Sequence, residues 1–308
     1  MLNLKLNMIN SYLALKYNAA QTQPKRIANP SFSGRIVPAP VSRKYENVLY
    51  KTFISPIMNY RSRNFTKIRE TLAPVLQKVT VPVKNGNITA WEINPENSKK
   101  YVLFLHGIKG SSQLPPNQVL LASVMNKGGY GIITPEYRGT AEFHNKTFNI
   151  KNTKEDAQAT LKYLLDKGIK AEDITIIAHC LGAIPASDLA AEHKNLHKII
   201  FISPLSSGEF FGSAIIKKLN IKMPKFLEKG LNKLTNLFVP YELDMMKSIK
   251  DVDAPVVILS PSEDKLISLE QTTQLSKNIK NLSDFVILSK TPHNLTTSSC
   301  ESIVKYLD

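Results

Sequence analysis

Ile174-Thr175-Ile176-Ile177-Ala178-His179-Cys180-Leu181-Gly182-Ala183 is the stretch on which the fold turns. The β-branched run Ile174 to Ile177 suits a buried strand, and Leu181-Gly182-Ala183-Ile184-Pro185-Ala186 continues in small and apolar residues fit for the start of a packed helix. A strand ending before Cys180 and a helix from Leu181 leave the cysteine on a sharp turn. Ala178 and Gly182, two residues before and two after it, meet the steric need of such a turn, which presses these backbones together and admits only Gly or Ala.

Outward from this stretch the chain alternates. Upstream, Val79, Val81 and Val83 alternate with polar residues, Asn85-Gly86 is a two-residue turn signal, and Ile88, Ala90 and Glu92 begin a return strand, so a β-hairpin is predicted. Tyr101 to Leu105 reads as a buried strand, followed by a helix over 117–127, a strand over 131–134 and a helix over 153–167. Downstream, the helix over 181–193 leads to a strand over 198–203; later come strands over 256–260 and 284–288 and helices over 269–278 and 295–306. Helix and strand in turn, with short joints, predict right-handed crossovers and a mostly parallel sheet. Residues 206–250 break the repetition: they are helical in tendency and carry Ile215, Ile216, Leu219 and Ile221 beside Lys217, Lys218 and Lys222.

The 308 residues suffice for one domain of about 200–250 residues plus an extension. The formal net charge is +15, yet residues 1–75 hold 12 Lys or Arg against 2 Asp or Glu, so two thirds of the excess lies in that quarter. The remainder carries no aromatic-rich basic motif of a nucleic-acid reader, and no nucleic-acid partner is expected. Residues 1–76 read as a basic extension with a Pro-rich arm over 21–43, and 77–308 as the folded domain. Two cysteines, Cys180 and Cys300, exclude a disulfide framework. A free thiol at the turn favours a reducing, cytoplasmic setting. No run approaches about 18 apolar residues, and Lys5, Asn7, Asn10 and Lys16 interrupt any secretory core at the start. Metal-ligand spacings and phosphate-binding glycine loops are absent from the sequence; His193 and His197 straddle an expected helix end and the next strand. No cofactor or metal is expected.

The pattern Ala178-x-Cys180-x-Gly182 has the form of the nucleophile elbow Gly-x-Ser-x-Gly, with Ala for the first glycine and Cys for the serine. It resembles the α/β-hydrolase superfamily, many of whose esterases, lipases and peptidases read Gly-His-Ser-x-Gly here, so His179 fits as well. The resemblance implies an α/β-hydrolase fold, and it implies that residues 206–250 form a helical cap over the site. Pro135-Glu136-Tyr137-Arg138-Gly139 resembles the Asp-Tyr-Arg-Gly found after the next strand in relatives, with Glu as the departure. Cysteine at the elbow is a feature of dienelactone-hydrolase-like members; most of the superfamily uses serine.

Acyl transfer by a thiol needs a base in reach of the sulfur and a third group that fixes the base's tautomer. The fold places these in chain order nucleophile, acid, histidine at the carboxyl ends of strands. Asp264, in Ser262-Glu263-Asp264-Lys265-Leu266-Ile267, is the expected acid, with Glu263 as the alternative. His293, in Thr291-Pro292-His293-Asn294, is the expected base, and Cys180 the nucleophile. Two donors should face the developing oxyanion: the N–H of Leu181 and, from His106-Gly107-Ile108-Lys109-Gly110, the N–H of Ile108. His106 itself reads as a structural loop residue. The expected activity is hydrolysis of ester, thioester or lactone bonds in a small acyl substrate; the alternative is a non-catalytic hydrolase-fold protein that binds a ligand or partner. The basic start and the basic, apolar stretch 213–238 point to an anionic membrane as the surface where substrate is met. Nothing in the sequence speaks to oligomeric state.

Overall fold

A computed structural model of the chain describes residues 25–26, 76–84, 86–93, 98–107, 115–140, 150–207, 223–224, 226–227, 230 and 244–308. Its strands are β1 (Lys25–Arg26), β2 (Gln77–Val83), β3 (Gly86–Ile93), β4 (Lys100–Leu105), β5 (Tyr130–Pro135), β6 (Ile174–His179), β7 (Lys198–Ile202), β8 (Val256–Pro261) and β9 (Leu282–Leu288). Its helices are α1 (Pro115–Lys127), α2 (Ile150–Asp166), α3 (Ala183–Glu192), α4 (Leu269–Ser276) and α5 (Thr297–Val304). They form one sheet in the order β1-β9-β8-β7-β6-β4-β5-β3-β2. From β5 through β4, β6, β7 and β8 to β9 every pairing is parallel, while β2, β3 and β1 join antiparallel at the two edges.

The parallel strands read as apolar runs because both faces are covered. Along β4 and β6, successive residues go to opposite layers. Val102, Phe104 and Ile177 meet Val119, Leu120 and Val124 of α1 and Ile303 of α5. Leu103, Leu105, Ile176 and Ala178 meet Ala157 and Leu161 of α2 and Ile184 and Leu189 of α3. Each such aliphatic side chain withdrawn from water contributes on the order of 1.5–3 kcal/mol. The expected hairpin is β2–β3, with Val83 opposite Gly86. Within the Pro-rich arm, Lys25 and Arg26 pair with Ile287 and Val286, covering part of the exposed edge of β9.

Two features place the site. All the parallel strands end on the same side of the sheet. There β4 and β6 are neighbours whose onward connections run opposite ways, to β5 on one side and to β7 on the other, the kind of switch point where open α/β sheets bind ligands. The expected helix from Leu181 begins later than read: Cys180–Gly182 is a single 3-10 turn, and α3 starts at Ala183. Most of the expected cap, and most of the extension over 1–76, lie outside the described residues. Within residues 206–250, Phe226 and Leu227 are 71% and 50% exposed. Among the described residues no helix is long and apolar enough to cross a membrane.

Candidate active site

Cys180 sits between the end of β6 and the 3-10 turn, in left-handed backbone with φ 53°. A non-glycine residue there is strained, and it is held because its neighbours leave no alternative. A Cβ added at Gly182 would lie 2.1 Å from the Leu105 carbonyl oxygen, and one at Gly107 would lie 2.9 Å from the Cys180 Cβ. The elbow is therefore pressed directly onto the end of β4, which explains why its third residue has no side chain. The carbonyl of Cys180 is in turn held by the Leu205 N–H at 3.0 Å.

The residues expected as acid and base follow the two strands beyond β7. Asp264 follows β8, and its side chain is withdrawn from solvent. Oδ1 accepts from the backbone N–H groups of Leu266 and Ile267, both at 2.8 Å. Oδ2 accepts from His293 Nδ1 at 2.7 Å. His293 follows β9, and the Cys180 sulfur is among the groups that raise its pKa. With Nδ1 committed to Asp264, Nε2 is the nitrogen left for the sulfur. Glu263, the alternative acid, is exposed, and its N–H donates to the Thr291 carbonyl at 2.9 Å. That bond belongs to a set tying the acid loop to the base loop: Ser262 N–H donates to the Leu288 carbonyl at 2.9 Å, and Lys290 N–H donates to Ser262 Oγ at 2.8 Å.

The electrostatics follow from this wiring. Burial by itself would disfavour a charged His293, but the Cys180 sulfur and the Asp264 carboxylate outweigh it and push the pKa of His293 up to about 10. Burial would likewise raise Asp264; the hydrogen bond and charge of His293, the Ile267 N–H and the Ser203 hydroxyl outweigh it and hold the acid below its ordinary value.

His179, matched in the sequence only as part of the elbow, has a further task. Its Nε2–H donates to the backbone carbonyl of His293 at 3.0 Å, joining residues 114 apart and tying the base loop to the elbow. The two rings lie 5.0 Å apart between centroids. Burial, then the neighbouring His293, lower the pKa of His179 to about 3, so it remains a neutral donor beside a charged imidazole. His106 is fully buried, donates through Nδ1 to the Gly107 carbonyl at 3.0 Å and packs on Tyr137 at 4.4 Å between ring centroids, in keeping with a structural role. Burial lowers its pKa to about 4.

Arg138 accounts for the Tyr-Arg-Gly resemblance: its Nε and backbone N–H donate to Asp156 at 2.6 and 2.8 Å, fastening the exit of β5 to α2. Leu181 occupies the first turn after the elbow, where N–H groups have no intrahelical acceptor. Ile108 lies outside the described residues. Among those residues no cluster of His, Cys, Asp and Glu could hold a metal ion.

Sheet order, elbow and strand-end side chains together define an α/β-hydrolase fold. A family model described as the alpha/beta hydrolase fold matches residues 100–237. An esterase from Pyrococcus furiosus superposes with a TM-score of 0.61 at 19% identity, covering 79% of this chain and 89% of that one. The esterase domain of a Rhodothermus marinus protein gives 0.55 at 16% identity, covering 75% and 95%. An α/β serine hydrolase homologue from Coxiella burnetii gives 0.55 at 14% identity, again covering 75% and 95%. Among curated proteins none matches this sequence.

Proposed function

We propose that the chain is a hydrolase of ester, thioester or lactone bonds that works through a covalent acyl-cysteine. One observation carries the reading: His293 Nδ1 and Asp264 Oδ2 lie 2.7 Å apart, and with Cys180 they follow the carboxyl ends of β9, β8 and β6 in the chain order expected. The similarity to esterases in fold supports the same class.

His293 takes the proton of Cys180, and the sulfur attacks as a thiolate. The S–C bond forms and the carbonyl π pair moves onto oxygen, where the N–H groups of Leu181 and Ile108 are the proposed donors. As the intermediate collapses, His293 gives its proton to the departing alkoxide or thiolate, and Asp264 steadies the imidazole throughout. His293, now neutral, takes a proton from water; the hydroxide adds to the acyl carbon, the C–S bond breaks, and acid and thiolate are restored. A sulfur nucleophile suits activated acyl groups better than amides, which sets the substrate class.

Turnover of a panel of p-nitrophenyl esters and acyl thioesters tests the reading. Wild-type protein should cleave members of the panel, iodoacetamide should stop cleavage by labelling Cys180, and Cys180→Ala should be inactive while folded. A folded wild-type protein inert on the whole panel would overturn the reading and leave the non-catalytic alternative.

A further inference from the structure

The reacting pair of the proposed mechanism has to be assembled across the sheet. Cys180 follows β6 and His293 follows β9, and in the sheet order β7 and β8 lie between those two strands. Three strand spacings of roughly 4.8 Å put the two strand ends about 14 Å apart, beyond the reach of any ladder hydrogen bond. The base must therefore be carried back over the sheet by its loop. On the far side that loop is fastened to the acid loop: Ser262 N–H donates to the Leu288 carbonyl, Lys290 N–H to Ser262 Oγ and Glu263 N–H to the Thr291 carbonyl. The bond between His293 and Asp264 belongs to the same side. Acid and base thus form one unit, and the elbow with its sulfur another.

His179 joins the two units. It is the last residue of β6, so its backbone leads directly into Cys180, and it is buried. Its Nε2 lies 3.0 Å from the backbone carbonyl oxygen of His293, and the two rings are 5.0 Å apart between centroids, tilted by 37°. A carbonyl oxygen can only accept, so Nε2 carries the proton. The link starts one residue from the sulfur and ends on the residue that bears the base. We propose that His179 is a positioning residue whose Nε2–H, by holding the His293 carbonyl, sets the reach of that imidazole toward the Cys180 sulfur. The proposal rests on the acyl-cysteine reading and gives the second residue of the elbow a part in it.

Asp264 cannot supply this constraint. Its bond to Nδ1 decides which way the imidazole turns, but Asp264 belongs to the same unit as the base and moves with it. Without the His179 donor the base loop can draw back from the elbow while the pair of Asp264 and His293 stays intact. Loss of one hydrogen bond of this kind corresponds to about a tenfold change in rate when the bond fixes the reacting geometry. Filling space beside the His293 ring is a separate task, which a side chain of the right length performs with no donor at all. Gln and Met separate the two tasks: they are alike in length and shape, and only Gln has an N–H to offer the carbonyl.

The test uses the full chain and the best ester of the panel, with thermal melts as the control for folding. His179→Met should lower kcat, and the rate at which iodoacetamide labels Cys180, by about tenfold or more with KM within about twofold of wild type, and His179→Gln should recover most of both losses. Equal kcat and equal labelling in folded Gln and Met variants would overturn the inference, whatever the melting temperatures do. A measurement on wild type decides the matter should the Met variant not fold. Histidine-15N NMR at neutral pH, with His179 assigned by the signal missing from His179→Gln, must show a ring protonated on Nε2, and a neutral ring with its proton on Nδ1 overturns the inference. A wild-type protein with no turnover on the panel and the labelling rate of a free thiol is a different failure: it removes the acyl-cysteine reading itself, and this inference with it.

Discussion

Asp264→Asn is a substitution that keeps shape and removes one charge, and the geometry dictates which way the new amide must face. Oδ1 accepts two backbone N–H groups at 2.8 Å, so the Asn carbonyl oxygen must take that position. The amide NH2 then faces His293 Nδ1 at the place now bridged at 2.7 Å. A donor there requires Nδ1 to be an acceptor, which puts the imidazole proton on Nε2, and Nε2–H cannot take a proton from the sulfur or from water. Turning the amide the other way recovers the working tautomer but breaks two hydrogen bonds, each worth about 1.5–3 kcal/mol to a charged acceptor and at the lower end for an amide. With two bonds at that lower end the wrong tautomer is favoured by roughly 3 kcal/mol, and kcat/KM should fall roughly 100-fold. Steady-state hydrolysis of the best thioester of the panel measures this, with thermal melting as the control for folding. A folded Asp264→Asn protein within about tenfold of wild type would mean that Asp264 does not set the tautomer of His293.

Gly182→Ala should lower the melting temperature by roughly 2–12 °C, since a Cβ 2.1 Å from the Leu105 carbonyl forces the elbow off β4 at a cost of about 1–3 kcal/mol; an unchanged melt in a calorimeter would contradict the close approach. The pH dependence of stability has a definite sign. His293 has a folded-state pKa of about 10, above its ordinary 6.5, so its contribution is fully present below 6.5 and is lost as pH rises through 10. The urea midpoint should therefore decline across that window in wild type and decline less in Cys180→Ala, which lacks the sulfur partner; equal declines would disprove the coupling. Exposed Phe226 and Leu227 lie in a stretch with Lys217, Lys218, Lys222, Lys225, Lys229 and Lys233, which supports contact with anionic lipid. Changing both to Ser should weaken co-sedimentation with phosphatidylserine vesicles at least about tenfold, and no wild-type binding at low salt would eliminate the membrane proposal.

The parts of this molecule written locally were legible. β4, β6 and β8 are covered on both faces, so their apolar runs stand out. Asp264 and His293 each follow such a run, and the fold brings their side chains together. What escaped was decided by tertiary contact. The 3-10 turn at Cys180–Gly182 replaces the first turn of the expected helix because Gly182 is pushed onto Leu105, a residue far away in sequence. Glu263 and Asp264 are adjacent acids, and only the path of the loop turns one toward His293 and the other to solvent. His179 carried a signal, its place in the elbow, but not its bond to the His293 carbonyl. Ser203-Pro204 reads as an ordinary strand-end turn. The segment leads to Leu205, which holds the Cys180 carbonyl because β7 lies between β8 and β6, an order that sequence alone does not disclose.

The central claim is that the sulfur of Cys180 carries the acyl group. It is tested most directly by quenching the protein in acid during turnover of a thioester or p-nitrophenyl ester and mapping the peptides by mass spectrometry. The account predicts one added acyl mass on the peptide containing Cys180, absent in Cys180→Ala and accumulating in a variant whose His293 is replaced by Ala if acylation still occurs. Turnover with no acyl group on Cys180 in any variant, or an acyl group carried by a different residue, would contradict it.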